Sequence, residues 1–258
     1  MEQPPHSKRE HLRRLVSSKQ QWSEPLADDA KTKGFKGWHA RGYLPHCDKP
    51  GLVQFVTFRL WDSMPASQRG EWEHLLAVST RSDAPRSGAQ SLASQEQQIK
   101  LENYLDRGFG ECFLRDSRIA ALVEQVICFH HGRRFELLAW AIMPNHVHIL
   151  IQICQIPLTR IVQNWKSIAA VEANKLLGRT GRFWQPDYWD HYMRDEEQAS
   201  KAIRYIENNP VKVKLCRAPE DWTFGSARFR NPQTRKLELP QQRSAEHCSA
   251  SSGTKCAT

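Results

Sequence analysis

His146 and His148 are separated by one residue within the stretch Leu138 to Ile153, LAWAIMPNHVHILIQI. The run is apolar up to Pro144 and Asn145, where a turn is expected, and alternates afterwards, as two strands joined by a tight connection do. Strand side chains point to opposite faces in turn, so His146 and His148 share a face while Val147 points away into apolar surroundings. Two adjacent imidazoles suit one metal ion, although an isolated H-x-H is more often a packed pair than a ligand pair. A third ligand and a reacting group must come from elsewhere. The best source is Ala202 to Lys212, AIRYIENNPVK, where helical spacing stacks Tyr205 and Asn209 and Pro210 should stop the helix. Ala199, Ala202, Ile203 and Ile206 form its buried stripe, with Tyr205 and Asn209 along the edge, positions that packing can hold and a cleft can still reach.

These motifs carry a resemblance. HVH after MPN, then a helix, then FWQPDYWDHYMRDEE and YIENNPVK in that order, are similar to the REP-associated tyrosine transposases, relatives of the HUH single-strand transposases, from about Phe35 to Ala227. The resemblance implies an α+β fold, a ferredoxin-like antiparallel sheet covered by helices with the histidines on its central strand. It implies His146, His148 and Asn209 as metal ligands and Tyr205 as nucleophile. The implied substrate is single-stranded DNA folded into imperfect palindromic hairpins, and the implied protein acts at chromosomal repeats as a monomer or homodimer.

Cleaving a phosphodiester this way needs an in-line nucleophile and a cation to balance charge on the phosphate. A tyrosine hydroxyl, with an ordinary pKa near 10, reacts slowly unless a cation favours the phenolate or a base takes its proton. A 5′-phosphotyrosine conserves the energy of the broken bond, so rejoining needs no ATP, in keeping with the lack of a G-x-x-x-x-G-K-[ST] motif. Two imidazoles and an amide oxygen leave open positions for phosphate and water, which suits Mg²⁺ or Mn²⁺ better than zinc. Tyr188 and Tyr192 are rival nucleophiles, but no ligand-type residue lies one helical turn away. Asp190, His191 and Glu207 are left outside the site. Two other readings use the same residues: a replication-initiator or relaxase-type nickase, and a catalytically silent hairpin-binding protein.

The 258 residues can form one sizeable core, and a formal charge of +9 favours an acidic partner, most often nucleic acid. No run reaches the roughly 18 apolar residues of a membrane span, and the start lacks a signal peptide's apolar core, so a cytoplasmic, nucleoid-associated location is expected. Seven scattered cysteines, none in C-x-x-C, suggest neither a disulfide framework nor a zinc ribbon. Cys154, at the end of the histidine strand, is read as a small apolar residue with no chemical role.

Residues 1–33 read as a mobile basic extension, 34–228 as the transposase domain and 229–258 as a disordered polar tail. The Gly- and Pro-rich run 34–51 fits no regular element; its Trp38, Arg41 and Tyr43 are candidates for stacking on unpaired bases and touching phosphate. A first strand is expected over 52–60, helices over 65–77 and 95–107 with a loop between, and a helix over 117–130 capped by Asp116. An amphipathic helix over 158–177 carries Lys166 on its charged face, and Arg182 and Arg194 flank the turn-rich segment that ends in a short strand. These three cations are candidate DNA contacts. Asp195 should cap the tyrosine helix from Glu196 to Asn208.

Overall fold

The computed structural model describes residues 25–40, 45–64 and 102–239. Its centre is a four-stranded antiparallel sheet built from β3 (Val53–Arg59), β4 (Phe135–Ile142), β5 (His146–Ile153) and β6 (Trp189–Tyr192), in the order β4-β5-β3-β6. Helix α2 (Ser117–Cys128) lies between β3 and β4 in sequence, and α3 (Leu158–Leu176) between β5 and β6. The result is a βαββαβ unit whose first and third strands are the inner ones, the ferredoxin-like arrangement expected. Both edges of β5 are paired, Thr57 facing His148 from β3 and Ala141 facing it from β4.

Alternation along the strands decides which layer each residue enters. Val147, Ile149 and Ile151 join Val56, Phe58 and Trp140 beneath α2 and α3, which bring Ile119, Val123, Leu158 and Trp165. The opposite face, with Phe55, Ala139, Ala141 and Leu150, is covered by α4 (Glu196–Lys212) through Ala199, Ile203 and Ile206. Burying each large aliphatic side chain contributes about 1.5–3 kcal/mol, which is enough to dock both layers. A bulge at Leu138 puts it and Ala139 in the same layer before β4 resumes its alternation towards the turn.

Several expected boundaries differ. Helix α4 does not stop before Pro210 but runs one turn further, to Lys212. Proline removes a single N–H, and the final turn is closed by Val213 N–H on the Asn209 carbonyl (3.1 Å) and Leu215 N–H on that of Pro210 (2.8 Å). The run 34–51 contains a hairpin of β1 (Gly37–Ala40) and β2 (Pro45–Asp48), concealed in the sequence by its polar composition. Buried His46 bonds Asp190 of β6, and Asp48 accepts the Leu158 N–H (3.1 Å) at the start of α3. Before it, within the expected mobile extension, α1 (Asp28–Thr32) carries Ala30 into the core. The helix expected over 65–77 and the loop after it lie outside the described residues, and 102–105 form the described part of the next helix.

The boundary drawn at 229 falls inside a packed segment. Arg230 bonds Glu207 of α4 (2.7 Å) with both side chains less than a tenth exposed, and Leu237 and Leu239 pack on the core. Glu207 also accepts from Ser226 Oγ (2.7 Å), which in turn accepts the Trp140 N–H (3.0 Å), so this carboxylate ties α4 to β4. Glu207→Ala would leave a buried guanidinium without its partner and is expected to cost about 3–5 kcal/mol in urea unfolding.

Candidate active site

The two-residue connection Pro144–Asn145 places His146 at the start of β5, with Met143 N–H bonded to the His146 carbonyl (2.8 Å). Neighbouring segments hold this turn: Leu60 N–H bonds the Asn145 carbonyl (2.8 Å) and Leu114 N–H that of Pro144 (3.2 Å). Asn145 donates from Nδ2 to the Phe109 carbonyl (3.1 Å), so its Oδ1 accepts from His146 Nδ1 (2.7 Å). That fixes the tautomer of His146, because a ring that donates from Nδ1 carries its lone pair on Nε2. His148 Nδ1 is paired with Thr57 Oγ1 (2.8 Å). The two Nε2 atoms then face each other at 3.0 Å, in rings almost wholly buried.

Burial pushes the pKa of His146 well below the usual histidine value, with His148, Arg59 and Lys212 adding to the effect. Burial, aided by Lys212, takes His148 down to about 3. Both imidazoles are therefore neutral, the form that binds metals. The shift also makes stability depend on pH. Between about pH 6.5 and 3 the unfolded chain protonates this imidazole and the folded chain does not, so stability falls as pH falls. In EDTA, going from pH 7 to pH 5 is expected to cost about 2 kcal/mol through His148 alone. Urea unfolding at the two pH values should register this loss, and His148→Gln should flatten the dependence.

From the facing layer, α4 brings Tyr205 against the pair. Its ring centroid is 5.6 Å from that of His148 and 5.9 Å from that of Phe55. Asn209, one turn on, donates from Nδ2 to the Tyr205 hydroxyl (3.2 Å), and its own Oδ1 is buried with no hydrogen-bond partner. An orphaned amide oxygen is costly unless something binds it. Two facing imidazole nitrogens and a buried, unpartnered amide oxygen are donor types that could hold a divalent cation with open positions. Among the described residues, no group of three or more His, Cys, Asp and Glu side chains could hold a metal ion.

The helical residues 102–105 and the turn that follows lie beside the tyrosine. Glu102 lies close to Tyr205, and Asp106 bonds Lys212 (2.7 Å), whose Nζ lies 5.9 Å from the Tyr205 ring. Burial and these two carboxylates raise the pKa of Tyr205, so at rest the hydroxyl is a phenol. Asn145, Thr57, Glu102 and Lys212 complete the site and were not singled out from sequence. Asn145 lies inside MPN and Lys212 ends YIENNPVK, whereas Thr57 and Glu102 belong to no visible motif.

The other candidates are placed elsewhere. The ammonium of Lys166 is engaged by the carbonyls of Pro186 (2.8 Å), Gln185 and Asp187, so this cation braces the segment before β6 rather than facing outward. Trp38 is exposed with its ring edge on Tyr192 (5.6 Å). Arg182 is exposed and lies over the Trp61 ring (4.5 Å), and Arg194 lies over Tyr192 (5.8 Å). Arg41 and Tyr43 lie outside the described residues. Tyr188 is buried with its hydroxyl 3.5 Å from Thr159 Oγ1, and Tyr192 packs with Cys47 and Leu52. His191 is half-buried and pushed down to about 4 by burial.

Residues 114–209, a span that closes on Asn209 and takes in the histidine strand and most of the tyrosine helix, match the family model described as transposase IS200 like. Over part of its length the chain is similar to two proteins that carry the name REP-associated tyrosine transposase. It is 29% identical over 112 residues to a Haemophilus influenzae protein named "Putative REP-associated tyrosine transposase", covering 38% of this chain and 61% of that one. It is 27% identical over 120 residues to the REP-associated tyrosine transposase of Escherichia coli, covering 44% and 71%. The chain thus spans about three-fifths to seven-tenths of the length of these relatives. A solved structure of a REP-associated tyrosine transposase bound to a REP hairpin aligns with a TM-score of 0.42 at 17% identity, covering 83% of this chain and 98% of that one. Among the described residues, no helix is long and apolar enough to cross a membrane.

Proposed function

We propose that this chain cleaves and rejoins single-stranded DNA at palindromic, REP-like hairpins through a 5′-phosphotyrosine on Tyr205, with Mg²⁺ or Mn²⁺ held by His146, His148 and Asn209. The observation that carries this reading is the packing of Tyr205, whose hydroxyl accepts from Asn209 one helical turn on, against one of two buried imidazoles whose Nε2 atoms face each other on the neighbouring strand. The hairpin substrate rests on the REP association of the related transposases, and the net charge of +9 suits a polyanion.

In this reading, the Tyr205 oxygen attacks the scissile phosphorus in line with the departing 3′ oxygen, and the phosphate becomes joined to the tyrosine. A divalent ion at the histidine pair supplies charge neutralisation at the phosphate. Packing against Phe55 and His148 holds the Tyr205 ring, and Asn209 Nδ2 steadies the reacting oxygen. A second 3′ hydroxyl attacking the phosphotyrosine reverses the step and joins strands.

The deciding experiment incubates the chain with labelled single-stranded hairpin DNA, with and without Mg²⁺ or Mn²⁺, and looks for a covalent protein–DNA adduct on a denaturing gel. A metal-dependent adduct is expected. Tight hairpin binding without adduct across several hairpins and both metals would favour a silent hairpin reader instead. Thr57→Val keeps the shape of the side chain but removes the partner of His148 Nδ1. It should weaken Mn²⁺ binding by about 10- to 100-fold in a calorimetric titration.

A further inference from the structure

Lys212 ends the tyrosine helix, and among the described residues its ammonium is the one cation that stands over the ring of the proposed nucleophile, with Nζ 5.9 Å from the Tyr205 centroid. Tyr205, Asn209 and Lys212 follow one another at steps of four and three, so they line one face of α4. Helical side chains lean towards the N-terminus, which carries the long Lys212 chain back over the turn that holds the other two. Asp106 fixes the cation there. Its Oδ2 accepts from Nζ at 2.7 Å, its side chain is only a tenth exposed, and its backbone N–H is bonded to the Glu102 carbonyl (2.9 Å). The Lys212 side chain is half exposed. An ammonium has three hydrogens. Asp106 takes one, and no second acceptor reaches Nζ among the described residues. Two charged donors remain beside the tyrosine, within reach of an anion that approaches from solvent.

We propose that Lys212 is a catalytic residue that grips a non-bridging oxygen of the phosphate Tyr205 attacks, with Asp106 as the positioning residue that keeps it over the tyrosine. This proposal rests on the phosphotyrosine reading above and adds a cation of the protein itself to that reading. As the tyrosine oxygen bonds to phosphorus, negative charge builds on the non-bridging oxygens, and an ammonium already in place stabilises that charge more than it stabilises the ground state. Lysine acts as a point charge with rotatable donors, so one hydrogen can stay on Asp106 while another follows the phosphate oxygen. Lys212 remains an ammonium throughout, and no proton passes through it. Were the ion pair only a brace between α4 and residues 102–106, removing both of its charges together would leave the chemistry intact.

The test uses the full chain and a labelled single-stranded hairpin. Lys212→Gln should slow adduct formation at saturating DNA and Mn²⁺ by about 100-fold in a single turnover, and Lys212→Arg, which restores the charge, should recover at least about tenfold of that loss. Because Lys212→Gln leaves a mostly buried Asp106 without its cation, the deciding variant is the double one, Asp106→Asn with Lys212→Gln, which removes both charges at nearly constant shape. It should fold with a Tm close to that of wild type and remain as slow as Lys212→Gln. Binding gives a second measurement that involves no chemistry. In EDTA, the slope of log Kd against log salt concentration should shrink by about 0.7 in Lys212→Gln and in the double variant, which is one phosphate contact on a single strand, and should stay unchanged in Lys212→Arg. A double variant that forms adduct within about threefold of the wild-type rate, or a salt slope that Lys212→Gln leaves unchanged, would overturn the role of Lys212. A wild-type chain that forms no adduct, yet loses salt dependence when Lys212 is replaced, would instead overturn the phosphotyrosine reading and leave the phosphate contact standing.

Discussion

Tyr205→Phe is expected to abolish the covalent adduct, lowering its rate at least about a thousandfold, and to leave hairpin affinity within about twofold. Only one oxygen is removed. The ring keeps its contacts with Phe55 and His148, so the surface presented to DNA is unchanged. Of the two rival tyrosines, Tyr188 is committed to the neighbourhood of Thr159 and Tyr192 to that of Trp38 and Cys47. The lost hydrogen bond to Asn209 is expected to change stability by only about 1 kcal/mol, so a melting curve can exclude unfolding as the cause. Adduct forming at the normal rate in this variant would show that the nucleophile lies elsewhere.

The second large effect concerns the facing imidazoles. Mn²⁺ at about 100 times its dissociation constant should stabilise the wild-type chain by about 2.7 kcal/mol, which is a rise of roughly 5–10 °C in Tm at this size. His148→Ala or His146→Ala should lose that rise almost entirely and should lose adduct formation with it. Both rings are neutral and directed at each other, each held through its Nδ1 by a separate partner, so removing either leaves a single imidazole ligand and no chelating pair. A scan of Tm against Mn²⁺ for the three chains decides the matter. An undiminished Mn²⁺ effect in both variants would place the cation away from the histidines.

The ease of reading these parts from sequence follows their physics. Strand alternation places His146 and His148 on one face whatever the rest of the fold does, and a spacing of four residues stacks Asn209 on Tyr205 in any helix. The layer under α2 and α3 was equally plain, because Ile119, Val123, Leu158 and Trp165 recur at helical spacing. Contacts between segments distant in sequence were not legible. Glu102 and Tyr205 are brought together by the sheet and its covering layer, and no local pattern marks either as the other's partner. The hairpin β1–β2 was hidden because its buried residues include His46 and Asp48, whose polarity is satisfied by Asp190 and the Leu158 N–H in the assembled fold. Lys166 looked like an outward cation because its acceptors are backbone carbonyls, which every sequence possesses.

The site is divided between two layers of unequal cohesion. The histidines stand on a strand paired along both edges and backed by the larger apolar layer, while the tyrosine and its carboxylate neighbour belong to a helix and a short turn over the smaller one. Amide hydrogens around His148 should therefore exchange with deuterium only when the whole domain unfolds. Those of residues 102–106 should exchange through smaller and far more frequent openings. The half of the site that would bind metal is thus as durable as the protein itself, and the half that would bond to DNA can be renewed, strand after strand, without disturbing it.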